Sequence, residues 1–286
     1  MPHFTTEDAA VLRVDENFDL GAIDPRSTPG FTGKKADAAT LFTEHDDEIA
    51  ELQERMFANS RAGLEAPSVL LLLQGMDTSG KGGTLEHTVG LMDPQGVRVT
   101  SIKAPTKEEL SHDFLWRIEK ALPSGGYVGV FDRSHYEDVL IVRVRSLAPP
   151  EEVERRYGAI NDFEERLVAD GTTIVKCMLH ISAEEQKERL LARLDDPTKH
   201  WKFNPGDLDE RALWPAYREA YEIALERTNT EHAPWHVIPA DRKWYRNLAI
   251  GTLLHDTLSR LDPKWPAADF DVAEQRERLE NEAPVR

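Results

Sequence analysis

Residues 68–84 constrain the fold more than any other stretch of this chain. Ser68–Gln74 (SVLLLLQ) is an unbroken apolar run bounded by Pro67 and Gly75. It is far too short to span a bilayer and reads as a strand buried on both faces, the mark of a parallel sheet with helices on each side. It runs straight into QGMDTSGKGGT (74–84), a glycine-rich loop that opens a helix. Strand, glycine turn and helix in that order form a phosphate cradle, in which backbone N–H groups and the helix start face an anion. Gly75, Gly80, Gly82 and Gly83 let the backbone turn inward, Thr78 lies within the loop, and Lys81 supplies a point charge. The usual Ser or Thr after Gly-Lys is replaced by Gly82, and an aspartate, Asp77, stands inside the loop.

The rest of the chain alternates in the same way. An amphipathic helix is expected over 35–61, and strands over 97–103, 127–131, 172–181 and 235–239. The loop helix should run from about 82 to 92. The box Thr106-Lys-Glu-Glu109 predicts a helix that lasts to Pro123, and Ser182-Ala-Glu-Glu185 predicts another. Further helices are expected over 135–147, 150–170, to about 227, and over 242–261. Strands alternating with helices give an α/β fold with a mainly parallel sheet covered on both faces. We divide it into an irregular N-terminal arm (1–35), a phosphate-loop domain (36–262) with a helical lid at about 186–212, and a charged, peripheral tail (263–286).

Three groups of residues carry the chemistry. Beyond the loop, Asp132-Arg133-Ser134 follows the YVGVF strand, where an aspartate at the strand's carboxyl end can hold magnesium and an arginine beside it faces the same crevice. With no hydroxyl at position 82, Asp77 and Asp132 together could hold hard cations through oxygen. Asp77 could instead position an incoming phosphate, or merely close the loop by an Asx-type hydrogen bond. The third group is the break at 195–210 with its flanks, where Lys187, Arg189, Arg193, Lys199, His200 and Lys202 cluster around Trp201 and Phe203. Pro197 and Asn204-Pro205-Gly206 interrupt helix there, as in a phosphotransferase lid. Arg242, Lys243 and Arg246 open the last helix, against its dipole, which hints at an anion nearby.

The remaining candidates are weak. His45 reads as part of a solvated helix face and Cys177 as a core residue. Phe114 and Trp116 read as core packing. Among 286 residues the single cysteine excludes an internal disulfide and fits a reducing compartment, and no export signal is legible at the start, so cytoplasm is expected. A formal charge of −17 argues against nucleic-acid and anionic-membrane partners. Any polyanionic substrate must therefore meet a local basic cluster.

At this point the sequence resembles the polyphosphate kinase 2 family. The resemblance rests on QGMDTSGKGGT, GVRVTSIKAPTKEELSHDFLWR, FDRSHYEDVL, EEQKERLLARLDDPTKHWKF and ADRKWYRN, in colinear order over residues 35–262. The His-Tyr-Glu-Asp after Asp132-Arg133-Ser134 looks like the branch that phosphorylates both nucleoside mono- and diphosphates. The resemblance implies a P-loop kinase-like fold and magnesium-dependent, reversible transfer of the terminal phosphate of inorganic polyphosphate. Manganese is a further candidate metal. The expected acceptors are AMP and ADP, with GMP and GDP as further candidates. It implies that Asp77 works with metal and acceptor phosphate, that Lys81 is the cradle lysine, Asp132 the second acid and Arg133 the nucleotide-phosphate arginine. Glu137 is the candidate for acceptor choice. Arg193, Lys199 and Lys202 match the lid, with Lys103 and Arg242 as looser matches. Many relatives carry an acid where this chain has Gly82, so weaker magnesium binding is expected. A homo-oligomer is expected because relatives assemble. Two rival readings are an ATP-dependent nucleotide kinase of the same fold and a non-enzymatic P-loop protein that binds polyphosphate or nucleotide.

Overall fold

The structure, a computed structural model, describes residues 3–282 except the side chain of Glu44. Residues 1–2 of the expected arm and 283–286 of the expected tail lie outside the described residues. A single helical turn, α1 (Thr6–Ala9), precedes the long α2 (Lys35–Arg61). β1 (Ser68–Gln74) leads to α3 (Lys81–His87). β2 (Val97–Ser101) is followed by α4 (Trp116–Glu119), and β3 (Val128–Asp132) by α5 (Ile141–Val144) and α6 (Pro150–Ala169). β4 (Thr172–His180) precedes α7 (Ala183–Asp195), α8 (Gly206–Arg211) and α9 (Trp214–Arg227). β5 (Trp235–Pro239) enters α10 (Lys243–Leu261), and α11 (Val272–Glu280) follows.

The five strands form one parallel sheet in the order β2-β3-β1-β4-β5. β1 is central and wholly buried, as its unbroken apolar run requires. Its side chains alternate between two cores. Val69, Leu71 and Leu73 face α2 and α10, in a cluster with Ile49, Met56, Ile250 and Leu254. Leu70 and Leu72 face α6 and α9, in a cluster with Tyr157, Ile160, Phe163 and Leu225. Because every strand is parallel, all carboxyl ends emerge on one edge, where Leu73 pairs with Asp132 and Ser101 pairs with Asp132 from the other side. The phosphate loop and the Asp132 turn are thereby held as neighbours.

Two expected helices are not continuous. The Thr106–Glu109 box forms, with Thr106 N–H donating to Glu109 at 2.6 Å and Glu109 N–H to Thr106 Oγ1 at 3.2 Å. It closes only a 3₁₀ turn, because His112 is extended. Burial of Phe114, Leu115 and Ile118 against the sheet overrides the helical signal. Over 135–147 a 3₁₀ turn (His135–Asp138) precedes the short α5. The loop helix is also shorter than expected, giving way at Thr88 to a 3₁₀ turn over Val89–Leu91. In the first segment, Phe4, Leu12, Val14, Leu20 and Phe31 are buried, and Arg13 bridges His236 of β5. His45 is not simply solvated: its ring stacks on His255 at 4.5 Å. No helix among the described residues is long and apolar enough to cross a membrane.

Candidate active site

The loop after β1 takes its shape from three residues with positive φ: Gly75 (149°), Thr78 (64°) and Gly80 (106°). Gly80 has no room for a side chain, since a Cβ there would lie 1.7 Å from Arg246 Nη1. Gly82 differs, with nothing within 4 Å of where a Cβ would be. The loop's carbonyls are gripped from behind. Arg189 of α7 donates to Thr78 O (2.8 Å) and Ser79 O (2.9 Å), and with its other nitrogen to Ala240 O (2.6 Å). Gln186 donates to Asp77 O at 2.9 Å, and buried Arg246 reaches Ser79 O at 3.3 Å. Thr78 Oγ1 and Ser79 Oγ are buried without a protein partner.

Lys81 is buried and folds back on the loop, donating to Gly75 O at 2.9 Å. Burial and then Arg133 push its pKa down, against the pull of Asp132, Asp77 and Glu137. Those five groups therefore share one electrostatic neighbourhood. Arg133 Nη2 contacts Asp77 Oδ1 at 2.5 Å. Burial opposes the charge of Arg133, but Glu137 and Asp77 outweigh it and raise its pKa. Glu137 goes the other way: burial raises its carboxyl pKa despite Arg133 and Lys81. Its neighbour is Gln74, whose amide donates to Glu137 Oε1 at 3.1 Å and accepts from Ser134.

Two cavities meet at Asp77 and Arg133. A cleft of about 620 Å³ is lined by the loop (Thr78, Gly80, Lys81, Gly82, Gly83), Lys103, Asp132 and, from the lid side, Arg193 and Lys202. A second cavity of about 250 Å³ lies across Asp77 and Arg133, bounded by Gly75, Glu137 and an aromatic wall of Trp214, Tyr217 and Tyr221. Asp207 borders both cavities. It was not legible as a site residue, although its position just after Asn204-Pro205-Gly206, inside the lid, was the available signal. Burial and then Asp77 raise its pKa.

The expected lid cations separate. Arg193 pairs with Asp207 at 3.7 Å, and Lys202 lies over the exposed Trp201 ring at 4.9 Å. Lys199 turns to Asp196 at 2.8 Å and Arg242 to the carbonyl of Arg26 at 2.8 Å, and neither is among the residues that line the cleft. Arg189 and Arg246, grouped by sequence with surface cations, are the clamps behind the loop. Cys177 is buried in the core, and burial pushes its thiol pKa up.

Among the described residues no three His, Cys, Asp or Glu side chains gather as a self-sufficient metal site. Magnesium keeps several waters and is usually held by one or two carboxylates plus substrate phosphates. Asp77 and Asp132, two carboxylates on one cleft, fit that mode of binding.

Comparison with known proteins gives a consistent picture. The family model described as Polyphosphate kinase 2 matches residues 33–265. The AMP/ADP-polyphosphate phosphotransferase of Meiothermus ruber is 44% identical over 255 residues, covering 89% of this chain and 94% of that protein. The ADP-polyphosphate phosphotransferase of Rhodopseudomonas palustris is 40% identical over 88% of this chain and 89% of that protein. The crystal structure of polyphosphate kinase 2 from Arthrobacter aurescens TC1 superposes with a TM-score of 0.93 at 58% identity, covering 98% of this chain and 99% of that one.

Proposed function

The chain belongs to the polyphosphate kinase 2 family, and from that premise we propose that it moves the terminal phosphoryl group of inorganic polyphosphate to AMP and ADP. The observation that carries this reading is the junction of two cavities at Asp77 and Arg133. A phosphotransferase needs donor and acceptor phosphates end to end, and two cavities sharing one wall supply that arrangement. The cleft over the loop suits a linear polyanion, because Lys81, Lys103, Arg193 and Lys202 line it. The smaller cavity, with an aromatic wall and Glu137 in its lining, suits the nucleoside and its phosphates.

In this reading an oxygen of the acceptor phosphate attacks the terminal phosphorus of the chain, and the bond to the next bridging oxygen breaks. The shortened polymer leaves with that electron pair. No protein nucleophile is needed. Lys81 and Arg133 neutralise charge on the transferring group, and Asp77 orients the attacking phosphate. Asp77 and Asp132 would hold magnesium, which when bound neutralises phosphate oxygens of both substrates. One phosphoanhydride replaces another, so transfer should run both ways. GMP and GDP are further candidate acceptors. We expect a cytoplasmic homo-oligomer.

The test is a panel of nucleotides with magnesium and polyphosphate as sole donor, read by chromatography. AMP should yield ADP and ATP, and ADP should yield ATP, without added ATP. Asp77→Asn should lower turnover on the order of hundredfold. A parent protein that transfers only from ATP, or an Asp77→Asn variant with parental turnover, would overturn the assignment.

A further inference from the structure

Beneath the Asp132 turn lies a buried charged pair that neither cavity touches. Lys176 sits in the middle of β4, between Leu72 of β1 and Trp235 of β5. Glu164 reaches it from α6. Lys176, Glu164, His135 and Tyr136 all have 0% exposure. Lys176 Nζ donates to Glu164 Oε2 (2.6 Å), Thr228 O (2.7 Å) and the Tyr136 hydroxyl (2.9 Å). Tyr136 OH donates to Glu164 Oε1 at 2.8 Å, and His135 Nε2 lies 3.2 Å from the same oxygen.

A charged pair satisfies every contact. The Lys176 ammonium has three N–H groups for its three acceptors, and Glu164 favours that charge although burial pulls the Lys176 pKa down. The Glu164 carboxylate then accepts from Lys176, Tyr136 and His135, with the His135 proton on Nε2. Burial pushes the Glu164 carboxyl up, but Lys176 and His135 outweigh it and hold its pKa below the ordinary value.

The pair is tied to the site through one short turn. His135 and Tyr136 point down to it, while Arg133 and Glu137 on either side line the acceptor cavity. Asp138 anchors the turn sideways, through Arg117 at 2.8 Å and Arg156 at 3.4 Å. Arg133 itself has φ +64°, a conformation that a side chain adopts only where its surroundings enforce it. A buried ion pair adds little net stability over apolar groups of the same size. What this one supplies is direction.

We propose that Lys176 and Glu164 are positioning residues: they hold His135 and Tyr136, and so fix Arg133 and Glu137 at the acceptor phosphate without touching substrate. The inference rests on the proposed transfer reaction and is tested separately from it. Tyr136→Phe deletes only the hydroxyl that links the pair to the turn, and Glu164→Gln removes the charge. Both are compared with the parent in transfer from polyphosphate to AMP and to ADP, with thermal melts alongside. The expected result is a rise of about tenfold or more in the nucleotide KM, as small misplacements of a binding group produce, with a smaller rise in the polyphosphate KM, since Arg133 also lines the donor cleft. Should Glu164→Gln not fold, Tyr136→Phe decides. Variants that melt lower but keep the parental nucleotide KM would overturn the positioning role. A parent with no transfer from polyphosphate would sink the proposed reaction instead.

Discussion

Gly80 fixes the phosphate loop by what it lacks. Its φ of +106° and the Arg246 guanidinium against its α-carbon leave no place for a side chain. Thr78 and Arg133 adopt positive φ without that freedom, Thr78 in the wall of the larger cleft and Arg133 at the junction of the two cavities. Strain held at such points is characteristic of sites where a side chain must be aimed. Glu137 carries a different cost. Its pKa in the folded protein lies above the ordinary glutamate value because burial disfavours its charge. At high pH the carboxyl is ionised in both folded and unfolded states, and the folded state bears the penalty. As pH falls through the raised pKa towards the ordinary one, the folded state takes up the proton first and the penalty disappears. Glu137→Gln should therefore melt higher than the parent at neutral pH, and the gap should narrow on acidification. Melts from pH 4 to 8 with a gap that is constant or widens towards acid would contradict the burial argument.

Among the elements, the lid region shows why a basic cluster in sequence is not one site in space. Arg189 faces inward from α7 and ties the loop to the connection between β5 and α10. Lys202, one 3₁₀ segment later, borders the cleft, whereas Lys199 in the same segment is occupied by Asp196. Exposed ion pairs such as that one are weak, but they orient a side chain. Lys202→Ala should accordingly raise the polyphosphate KM, with Lys199→Ala giving a smaller change and neither altering the nucleotide KM greatly. Steady-state kinetics with each substrate varied in turn would check this, and equal effects on both substrates would count against the division of the cavities. The aborted helix after Thr106 teaches the same lesson: its capping box forms locally, but the packing of Phe114, Leu115 and Ile118 decides where the chain goes next.

Over the whole molecule, the net charge of −17 opposes the approach of a polyanion, and only the local cations of the cleft reverse that field. Added salt screens both interactions, and in the proposed reaction the close contacts within the cleft are the ones that hold the polymer. The polyphosphate KM should rise with ionic strength more steeply than the KM for AMP, measured between low and physiological salt. A flat response would argue that the cleft does not hold the polymer electrostatically.

The sequence alone determined β1, the phosphate loop behind it, the alternation that makes a parallel α/β sheet, and the identities of Asp77, Lys81, Asp132 and Arg133 as candidates. These are encoded locally: apolar runs, glycine spacing and strand ends depend on neighbours a few residues away. Only the tertiary structure decided the strand order, which sets Asp132 beside the loop, and the inward turn of Arg189 and Arg246. It alone joined Lys176 to Glu164 and to a turn forty residues earlier in the chain. Charged side chains look alike in a sequence whether they meet water or a carbonyl. Which one they meet is settled by contacts between segments far apart along the chain, and no local pattern records those.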